Sequence, residues 1–295
     1  MNEDQRSKIA HDEGFFAALD QSGGSTPKAL ELYGVPSSAY HNDDQMFDAM
    51  HAFRQRIIAA PAFTGERILG AILFEQTMDR DIDGVATPHY LWDRKQVVPF
   101  VKVDEGLADE AGGVRLMKPF TRLDGLLERA VKRQVFGTKA RSFIGRADTG
   151  GVDAILDQQF AYAARILDAG LVPILEPEVD IHSDQKAQAE ELLKQGILDR
   201  LPSVPPGSQV MLKLSIPTVD DFYADLIGHP SVLRVVALSG GYTQEEADAR
   251  LARNHGLIAS FSRALVQDLR HDQDDATFDR TLAAAIKAIY DASVT

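Results

Sequence analysis

Lys213 lies in the middle of an apolar segment, residues 209–217 (QVMLKLSIP). Apolar residues at every second position alternate there with Met211, Lys213 and Ser215, which is the period of a β-strand. A lysine is rarely buried without a partner, because removing its ammonium group from water is costly. Taken alone, the segment therefore favours an edge strand with one solvated face. The alternative is a reactive amine, since a buried lysine that has lost its proton can attack a carbonyl carbon and form a Schiff base.

Charged side chains recur along the chain at a constant interval. Lys102, Lys139, Glu176 and Lys213 are separated by 37 residues each. If one strand and one helix fill each interval, the four side chains stand at similar height around one opening, at the carboxyl ends of parallel strands. A single solvated strand end is common, whereas charged groups at successive strand ends are not expected by chance. The interval therefore favours a shared site, in which burial and the neighbouring Lys139 both favour the neutral amine of Lys213.

Carboxylates and small residues extend this pattern. Glu176 and Glu178 have the same parity, so both are expected to point into the interior of a barrel, and Pro177 between them predicts that the strand ends there. The segments 238–241 (LSGG) and 260–265 (SFSRAL) have the composition of anion-binding loops after a seventh and an eighth strand. These residues predict acid–base groups beside the amine and a phosphate site across the opening.

Eight short apolar runs supply the strands that would position these residues. They are largely apolar on both faces, as buried parallel strands are, and lie at 14–20, 68–74, 97–103, 135–140, 171–177, 210–216, 232–238 and 257–262. Helical patterns separate them. This alternation predicts an α/β protein, a single (β/α)8 TIM barrel domain across residues 1–295 with its active site at the carboxyl ends of the strands. An open doubly wound sheet usually carries a G-x-G-x-x-G turn, which the segment ALDQSGGSTP lacks.

Capping residues predict three helix boundaries. Thr121 followed by Asp124, and Thr243 followed by Glu246, are close to the capping box that starts a helix. Gly170 has the position of the glycine that ends one.

Composition limits the classes of function. The 295 residues include 31 lysines and arginines against 44 acidic residues, a net charge of −13 without a dense basic stripe, so nucleic acid and anionic membranes are poor partners. The sequence has no run of 18 apolar residues and no apolar signal region, so we expect a cytoplasmic enzyme. The absence of cysteine excludes disulfides, thiolate metal sites and a cysteine nucleophile. The eight histidines lack metal-ligand spacing, so neither a metal site nor a cofactor is predicted.

Eight segments in chain order carry a family resemblance: ALDQSGGS, ILFEQT, VPFVKVDEG, GTKAR, GLVPILEPEV, LKLSIP, LSGG and SFSRAL. Together they resemble the class I, Schiff-base fructose-bisphosphate aldolases in their shorter bacterial form, over roughly residues 14 to 265. The specific part is VPILEPE, followed one unit later by the lysine and then by LSGG. The resemblance implies reversible, metal-independent aldol cleavage of fructose 1,6-bisphosphate to dihydroxyacetone phosphate and glyceraldehyde 3-phosphate, a step of glycolysis and gluconeogenesis that needs no cofactor.

The resemblance also implies a role for each matching residue. Lys213 would form the Schiff base, and Glu176 would be the acid and base in dehydration of the carbinolamine. The other implied catalytic residues are Glu178, which would hold the lysines, Asp20 at the C4 hydroxyl, and Lys139 beside that hydroxyl. The implied substrate-binding residues are Arg141 at the distal end, Ser239, Gly240, Gly241, Ser260 and Arg263 at the C1 phosphate, and Ser22, Ser25 and Lys102 at the C6 phosphate, with Asp104 bracing Lys102.

Two departures from the longer family members bear on this interpretation. Those members end in a tail whose terminal tyrosine assists proton exchange on the enamine. The last tyrosine here, Tyr290, lies inside a predicted final helix, so the protonating group stays unassigned. Ser262 stands where the longer members usually carry glycine, which bears on phosphate affinity.

Three alternative functions remain open at this stage. An aldolase for an epimeric ketose bisphosphate, such as tagatose 1,6-bisphosphate, would use the same chemistry. A Schiff-base transaldolase would not need features for two phosphates. A non-catalytic sugar-phosphate-binding barrel would not need an intact set of amine, acid and base. A small phosphorylated sugar is the expected ligand in each case. Members of the family often form homo-oligomers, but no exposed apolar stripe in the sequence identifies an interface.

Overall fold

Eight parallel strands close into a barrel in the computed structural model, which describes residues 2–295. Each strand pairs with the next, and the last pairs with the first, with Phe16 opposite Ser260. The strands are β1 Phe15–Leu19, β2 Ile68–Leu73, β3 Val98–Lys102, β4 Gly137–Ile144, β5 Val172–Val179, β6 Val210–Ser215, β7 Val232–Leu238 and β8 Ile258–Phe261. All eight predicted strands form, and the prediction of a (β/α)8 TIM barrel is confirmed.

Helices surround this barrel. They are α1 Glu3–His11, α2 Thr26–Tyr33, α3 Asp43–Ala59, α4 Glu75–Met78, α5 Thr87–His89, α6 Leu123–Lys132, α7 Thr149–Asp168, α8 Lys186–Arg200, α9 Ala224–Ile227, α10 Gln244–Leu251, α11 Arg263–Val266 and α12 Asp275–Ser293. None of the helices within residues 2–295 has the length and apolar character needed to cross a bilayer.

Several short elements were not predicted. Asp81–Ile82 and Val85–Ala86 form a two-stranded antiparallel hairpin, and Val114–Arg115 pairs antiparallel with the end of β4. A π turn spans Tyr90–Arg94, and short 3-10 turns span Gly23–Ser25, Ser37–Ala39 and Leu201–Ser203. Elements of two to five residues are too short to leave a periodic signal in the sequence.

The barrel interior is filled by apolar side chains and closed at one end. Phe16 and Phe100 pack edge to face inside it, with ring centroids 5.3 Å apart. A Cβ atom on Gly137 would lie 2.3 Å from the Val172 carbonyl oxygen, so only glycine fits between these strands. At the amino ends of the strands, α1 covers the opening and buries Ile9 in the interior cluster. The polar residues of the interior are therefore left to the carboxyl ends.

The predicted boundaries at Thr243 and Gly170 are confirmed. The Thr243 side chain accepts a hydrogen bond from the backbone N–H of Glu246, at 3.2 Å, and α10 begins directly after it. Gly170 follows the C-cap of α7 with φ +82°, a left-handed conformation that glycine adopts without strain.

The predicted boundary at Thr121 is wrong. Helix α6 begins two residues later, at Leu123. The Thr121 backbone N–H and hydroxyl both donate to the Glu105 carboxylate, at 2.6 and 2.8 Å. The N-cap residue of α6 is Arg122, and the Thr121 hydroxyl is directed to Glu105 instead of to the first turn of the helix.

Strand β5 continues past Pro177, contrary to the prediction. Its pairing with β4 runs on to Val179, whereas its pairing with β6 is recorded only up to Leu175. Beyond that point the buried Ser215 replaces the ladder: its hydroxyl donates to the Val179 carbonyl at 2.7 Å and accepts from the Val179 N–H at 3.0 Å. Pro177 is tolerated because the strand has one partner strand there instead of two.

Candidate active site

Lys213 lies towards the carboxyl end of β6 and is buried. Its side chain is 5% exposed, and its Nζ atom lies 3.0 Å from Glu176 Oε1 on β5. Strand β6 pairs with β5 on one side and β7 on the other, and all six of its residues are buried. The edge-strand interpretation is therefore wrong: this is an inner strand, and a carboxylate partner offsets the cost of burying the amine.

Glu176 stands between two lysines. Its Oε1 atom faces Lys213, and its Oε2 atom lies 2.7 Å from Nζ of Lys139 on β4. Lys139 Nζ also lies 2.7 Å from Oδ2 of Asp20, the residue that follows β1. These four side chains, from four different strand ends, form a row of alternating charge that we call the lysine–carboxylate chain. Each buried charge in it has an opposite charge beside it.

These charges shift the pKa values of the residues in the lysine–carboxylate chain. Burial alone would raise the pKa of Glu176, but Lys139 and Lys213 outweigh it and hold that pKa below its usual range. Burial also opposes ionisation of Asp20, and Lys139 and Lys213 nevertheless hold its pKa well below normal. Burial disfavours the ammonium form of Lys139, whereas Asp20 and Glu176 raise its pKa above the usual range. Both carboxyl groups are therefore ionised, and Lys139 is protonated, at neutral pH.

Glu178 contacts an arginine in this structure, whereas the resemblance implies that it would hold the lysines. It forms an ion pair with Nε of Arg141, and no ion pair joins it to a lysine within residues 2–295. Arg141 lies two residues beyond Lys139 on β4, as Glu178 lies two beyond Glu176 on β5, so this pair forms a second layer nearer the opening. Burial lowers the pKa of Arg141, but Glu178 outweighs it and raises that pKa above normal.

Lys102 and Asp104 are coupled as expected. Lys102 Nζ lies 2.6 Å from Asp104 Oδ1 and donates to the Asp104 carbonyl oxygen at 2.8 Å. The other carboxylate oxygen of Asp104 accepts a hydrogen bond from the Arg141 backbone N–H, at 3.2 Å. Asp104 therefore fixes the end of β3 to β4 and turns the ammonium group of Lys102 towards the opening.

The predicted anion-binding loops lie at the same end of the barrel. Ser239 follows β7, and Gly240 and Gly241 have φ values of +62° and +127°. A Cβ atom on Gly240 would lie 2.6 Å from the Ile181 side chain, and one on Gly241 would lie 3.7 Å from Nη2 of Arg263. Glycine is therefore required at 240 by the nearby Ile181 side chain and at both positions by the positive φ values.

Two serine-containing segments complete this face of the opening. Ser260, at the end of β8, is buried, and its hydroxyl has no hydrogen-bond partner within residues 2–295. Before α2, the Ser25 hydroxyl accepts from the Ser22 N–H and donates to the Ser22 carbonyl, both at 3.1 Å. Because Ser260 lines the cavity, its hydroxyl is available to a ligand that enters there.

One cavity of about 460 Å³ brings most of the predicted residues together. Asp104 and Gly241 are not among its lining residues, although each contacts one that is. The predicted residues that line it are Asp20, Ser22, Ser25, Lys102, Lys139, Arg141, Glu176, Glu178, Lys213, Ser239, Gly240, Ser260 and Arg263. Ser262, which was expected to bear on phosphate affinity, lines it as well, and so does Gln21, which was not predicted. In the sequence alone, a polar residue of a Gly/Ser-rich loop that lines a site cannot be distinguished from one that is exposed to solvent.

Tyr290 lies at the opposite end of the barrel. Its hydroxyl is 3.3 Å from Glu13 Oε2, just before β1, and the Arg67 guanidinium, just before β2, lies 5.6 Å from its ring centroid. A cavity of about 470 Å³ also opens at this end, but no ionisable side chain lines it. Tyr290 is therefore far from the cavity that Lys213 lines.

An eight-stranded barrel with charged side chains converging at the carboxyl ends of its strands defines a TIM-barrel enzyme. The family model of class I fructose-bisphosphate aldolase matches residues 5–216. Proteins named fructose-bisphosphate aldolase class 1 from Synechocystis sp. and Clostridium acetobutylicum are 57% and 56% identical over 294 and 295 residues, all of this chain and 98% and 100% of their own lengths. The chain belongs to the class I fructose-bisphosphate aldolase family, which is a family of lyases, so the predicted resemblance is confirmed.

Solved structures share the fold at low sequence identity. A fructose-bisphosphate aldolase from Plasmodium falciparum, solved with TRAP and a small-molecule inhibitor, has a TM-score of 0.70 at 21% identity and covers 98% of this chain and 93% of its own. An archaeal fructose-1,6-bisphosphate aldolase, with its catalytic lysine bound to the carbinolamine intermediate, has a TM-score of 0.56 at 12% identity and covers 97% and 98%. Both comparisons show only that these proteins share the barrel fold with this chain.

Proposed function

We propose that the protein catalyses the reversible cleavage of fructose 1,6-bisphosphate to dihydroxyacetone phosphate and glyceraldehyde 3-phosphate through a Schiff base on Lys213. The observation that carries this proposal is the lysine–carboxylate chain: a buried amine 3.0 Å from a carboxylate, with a second, protonated lysine held between two carboxylates. The family name of the relatives supports the substrate. Their identity of 53–57% over the full length supports the reaction.

The first chemical step needs a free amine and a proton carrier. Lys213 Nζ attacks the C2 carbonyl carbon of the ketose, forming a C–N bond and a carbinolamine. Loss of the C2 hydroxyl as water leaves a protonated imine. Glu176, in contact with Nζ, takes up the proton that the ammonium group releases and returns it to the leaving hydroxyl. Lys139 keeps the negative charge of Glu176 compensated through both transfers.

The second step breaks the bond between C3 and C4. Asp20 removes the proton of the C4 hydroxyl, the C3–C4 electron pair moves to the protonated imine, and an enamine and the aldehyde product result. Asp20 can accept this proton because the neighbouring ammonium groups keep its carboxyl group ionised, and Lys139, 2.7 Å away, holds that carboxylate in place. Protonation of the enamine at C3, followed by hydrolysis, releases dihydroxyacetone phosphate and restores Lys213.

The two phosphates of the substrate bind on either side of the lysine–carboxylate chain. Ser239, Gly240, Gly241, Ser260 and Arg263 bind the C1 phosphate, and Ser22, Ser25 and Lys102 bind the C6 phosphate. The support is a cavity that gathers basic and hydroxyl groups in a protein whose net charge is −13. The Arg141–Glu178 pair lines the same cavity, where Arg141 would contact the distal end of the substrate. Because phosphorylated sugars are retained inside cells, we place the reaction in the cytoplasm.

Borohydride trapping tests the proposal directly. Reduction in the presence of dihydroxyacetone phosphate is expected to leave a stable adduct on the peptide that contains Lys213, identified by mass spectrometry. Lys213→Met is expected to lose both the adduct and turnover, with an unchanged circular dichroism spectrum. Lys194→Met, at an ion pair on α8 far from the cavity, provides the matched control.

Three results separate the alternatives. An adduct on another lysine would keep the reaction and overturn the assignment of Lys213. No adduct, with activity lost after exhaustive chelation, would overturn the Schiff-base mechanism. Faster cleavage of tagatose 1,6-bisphosphate than of fructose 1,6-bisphosphate would overturn the substrate.

A further inference from the structure

Gln21 joins the loops that follow the first and last strands of the barrel. It lies directly after Asp20 in the loop that follows β1, and its Nε2 atom donates to the Ser262 hydroxyl at 2.6 Å. Ser262 lies in the loop that follows β8, next to Arg263. The two loops are more than 200 residues apart in sequence, and this hydrogen bond links them by side chains at the rim of the cavity.

A buried arginine forms hydrogen bonds to both the backbone and the side chain of Gln21. Arg54, on α3, is 2% exposed, and its Nη2 atom donates to the Gln21 carbonyl and lies 3.4 Å from Gln21 Oε1. Its Nη1 atom donates to the Thr77 hydroxyl, on α4, at 2.8 Å. The guanidinium group thus binds the backbone and the side chain of one residue in the loop after β1.

Arg54 is unusual because no carboxylate pairs with it. It forms no ion pair within residues 2–295, and its Nε atom has no acceptor there. Burial lowers its pKa to about 10, although Asp20 raises it. A charged group without an ion partner in the interior is costly. Its strongest contacts are charge-assisted hydrogen bonds to the segment that carries Gln21.

We propose that Arg54, Gln21 and Ser262 form a strap that fixes the distance between the two phosphate-binding loops, and that the three are positioning residues for a bisphosphate. The inference rests on the proposed function, which assigns the C6 phosphate to the loop after β1 and the C1 phosphate to the loops after β7 and β8. A ligand with two phosphates needs both loops at one separation, whereas a single phosphate needs only one loop.

Selectivity for the bisphosphate therefore depends on the strap. If Gln21 no longer binds Ser262, the loops must be brought to the right separation by the ligand itself, and part of the binding free energy is lost in ordering them. Inorganic phosphate, which occupies one loop at a time, is insensitive to that separation. A purely structural role would instead lower stability without distinguishing the two ligands.

The test compares Gln21→Leu, Ser262→Ala and the double variant with the wild type. Titration calorimetry measures the dissociation constants of hexitol 1,6-bisphosphate, which has no carbonyl group to react, and of inorganic phosphate. Each single variant is expected to bind the bisphosphate roughly 3- to 10-fold more weakly, the range of one hydrogen bond, and to bind inorganic phosphate as the wild type does. The double variant is expected to bind no more weakly than the weaker single one, because one contact is removed in all three.

Gln195→Leu is the matched control, because Gln195 makes an exposed side-chain hydrogen bond to Asp199 on α8 and lies outside the cavity. It is expected to leave both constants unchanged. Arg54→Lys keeps the positive charge but loses the planar guanidinium group, which contacts Gln21 and Thr77 at once. If it folds, it is expected to repeat the pattern of the single variants.

Equal weakening of both ligands by Ser262→Ala would make Ser262 a direct phosphate ligand and overturn the strap. Additive losses in the double variant, or no loss in either single variant, would also overturn it. These measurements do not depend on turnover. A wild type that binds the bisphosphate but fails to cleave fructose 1,6-bisphosphate would overturn the proposed function. The strap would then be judged from how each variant changes the dissociation constant of the bisphosphate relative to that of inorganic phosphate. A wild type that binds neither probe would overturn both.

Discussion

Glu176 is the residue on which both buried lysines depend. It is the carboxylate closest to Lys213, and it shares Lys139 with Asp20. Removing its charge would leave Lys213 without an ion-pair partner and Lys139 with only Asp20, at 2.7 Å, and Asp104, at 4.0 Å. Loss of one partner of a buried ion pair costs more than the pair contributes, because the remaining charge is left desolvated.

We predict that Glu176→Gln lowers both stability and turnover. The free energy of unfolding, measured by urea denaturation, is expected to fall by about 3 kcal/mol because buried lysines lose their partner. Turnover is expected to fall by roughly 100- to 10,000-fold, the range of one acid–base group. Glu246→Gln removes an exposed pair with Arg250 on α10 and is expected to change stability by less than about 0.5 kcal/mol. Equal effects of the two substitutions would contradict the paired-charge account.

Asp248 gives a prediction of pH dependence. Burial raises its pKa from 3.8 to about 6, although a hydrogen bond with Gln244 lowers it. The folded state therefore binds a proton that the unfolded state has released, and the stability that goes with it is lost as the pH rises from about 4 through 6. Asp248→Asn is expected to stabilise the protein by about 1 kcal/mol at pH 7.5, after allowance for solvent screening, and to have little effect at pH 4.

Unfolding free energies of Asp248→Asn and the wild type at several pH values test this expectation. Asp109→Asn, at an exposed position, is the reference substitution. A stabilisation that is the same at both ends of the pH range would show that Asp248 acts through something other than its proton.

At the scale of elements, the closeness of β4 to its neighbours depends on Gly137. A methyl group there would meet the Val172 carbonyl at 2.3 Å and the Phe100 ring at 2.7 Å, and a backbone oxygen in a barrel ladder cannot move aside. We predict that Gly137→Ala costs at least about 2 kcal/mol of unfolding free energy, since overpacking forces the backbone to shift.

Gly125→Ala is its matched control. Gly125 lies inside α6, and a Cβ atom there would meet nothing within 4 Å. Alanine is the better helix former, so this substitution is expected to stabilise the protein by about 0.5–1 kcal/mol. Chemical denaturation measures both effects. A loss at both positions would mean that glycine is needed for a reason other than local space.

The elements also show what can be read from sequence. All eight strands were predictable because each is a short apolar run between helical patterns, and a closed parallel barrel buries both faces of every strand. The extension of β5 beyond Pro177 was not predictable, because it depends on Ser215 replacing the ladder on one side only. The start of α6 was missed since Glu105, 16 residues away, takes the hydrogen bonds of Thr121.

The same contrast holds for the candidate site. Lys139, Glu176 and Lys213 were predictable from one repeated interval, because equal spacing puts strand ends on one rim. The partner of Glu178 was not, since parity gives the face of a strand but not which neighbour lies across from it. Arg54 has no signal at all in sequence: an arginine in a helix is usually solvated, and its burial appears only when α3 packs behind the loop after β1.

At the scale of the whole molecule, the position of Tyr290 separates it from the site. It contacts Glu13 at the amino end of the barrel, whereas Lys213 opens at the carboxyl end. We predict that Tyr290→Phe leaves unchanged both aldol cleavage and the exchange of a C3 proton of dihydroxyacetone phosphate with deuterium from the solvent, followed by NMR. Slower exchange with normal cleavage would show that this tyrosine reaches the enamine after all.

Closure of the barrel also sets an order of events during synthesis. Phe16 and Ala17 pair early with Gly70 and Ala71, but their partners on the other side are Ser260 and Phe261, so one edge of the first strand stays open until the last strand leaves the ribosome. Asp20 and the serines beside it are made early, and Ser260 and Arg263 are made late. A nascent chain that stops short of Ile258 has an open sheet edge and lacks Ser260 and Arg263 of the proposed C1-phosphate site. The ability to hold a sugar with two phosphates is therefore among the last properties that a growing chain acquires.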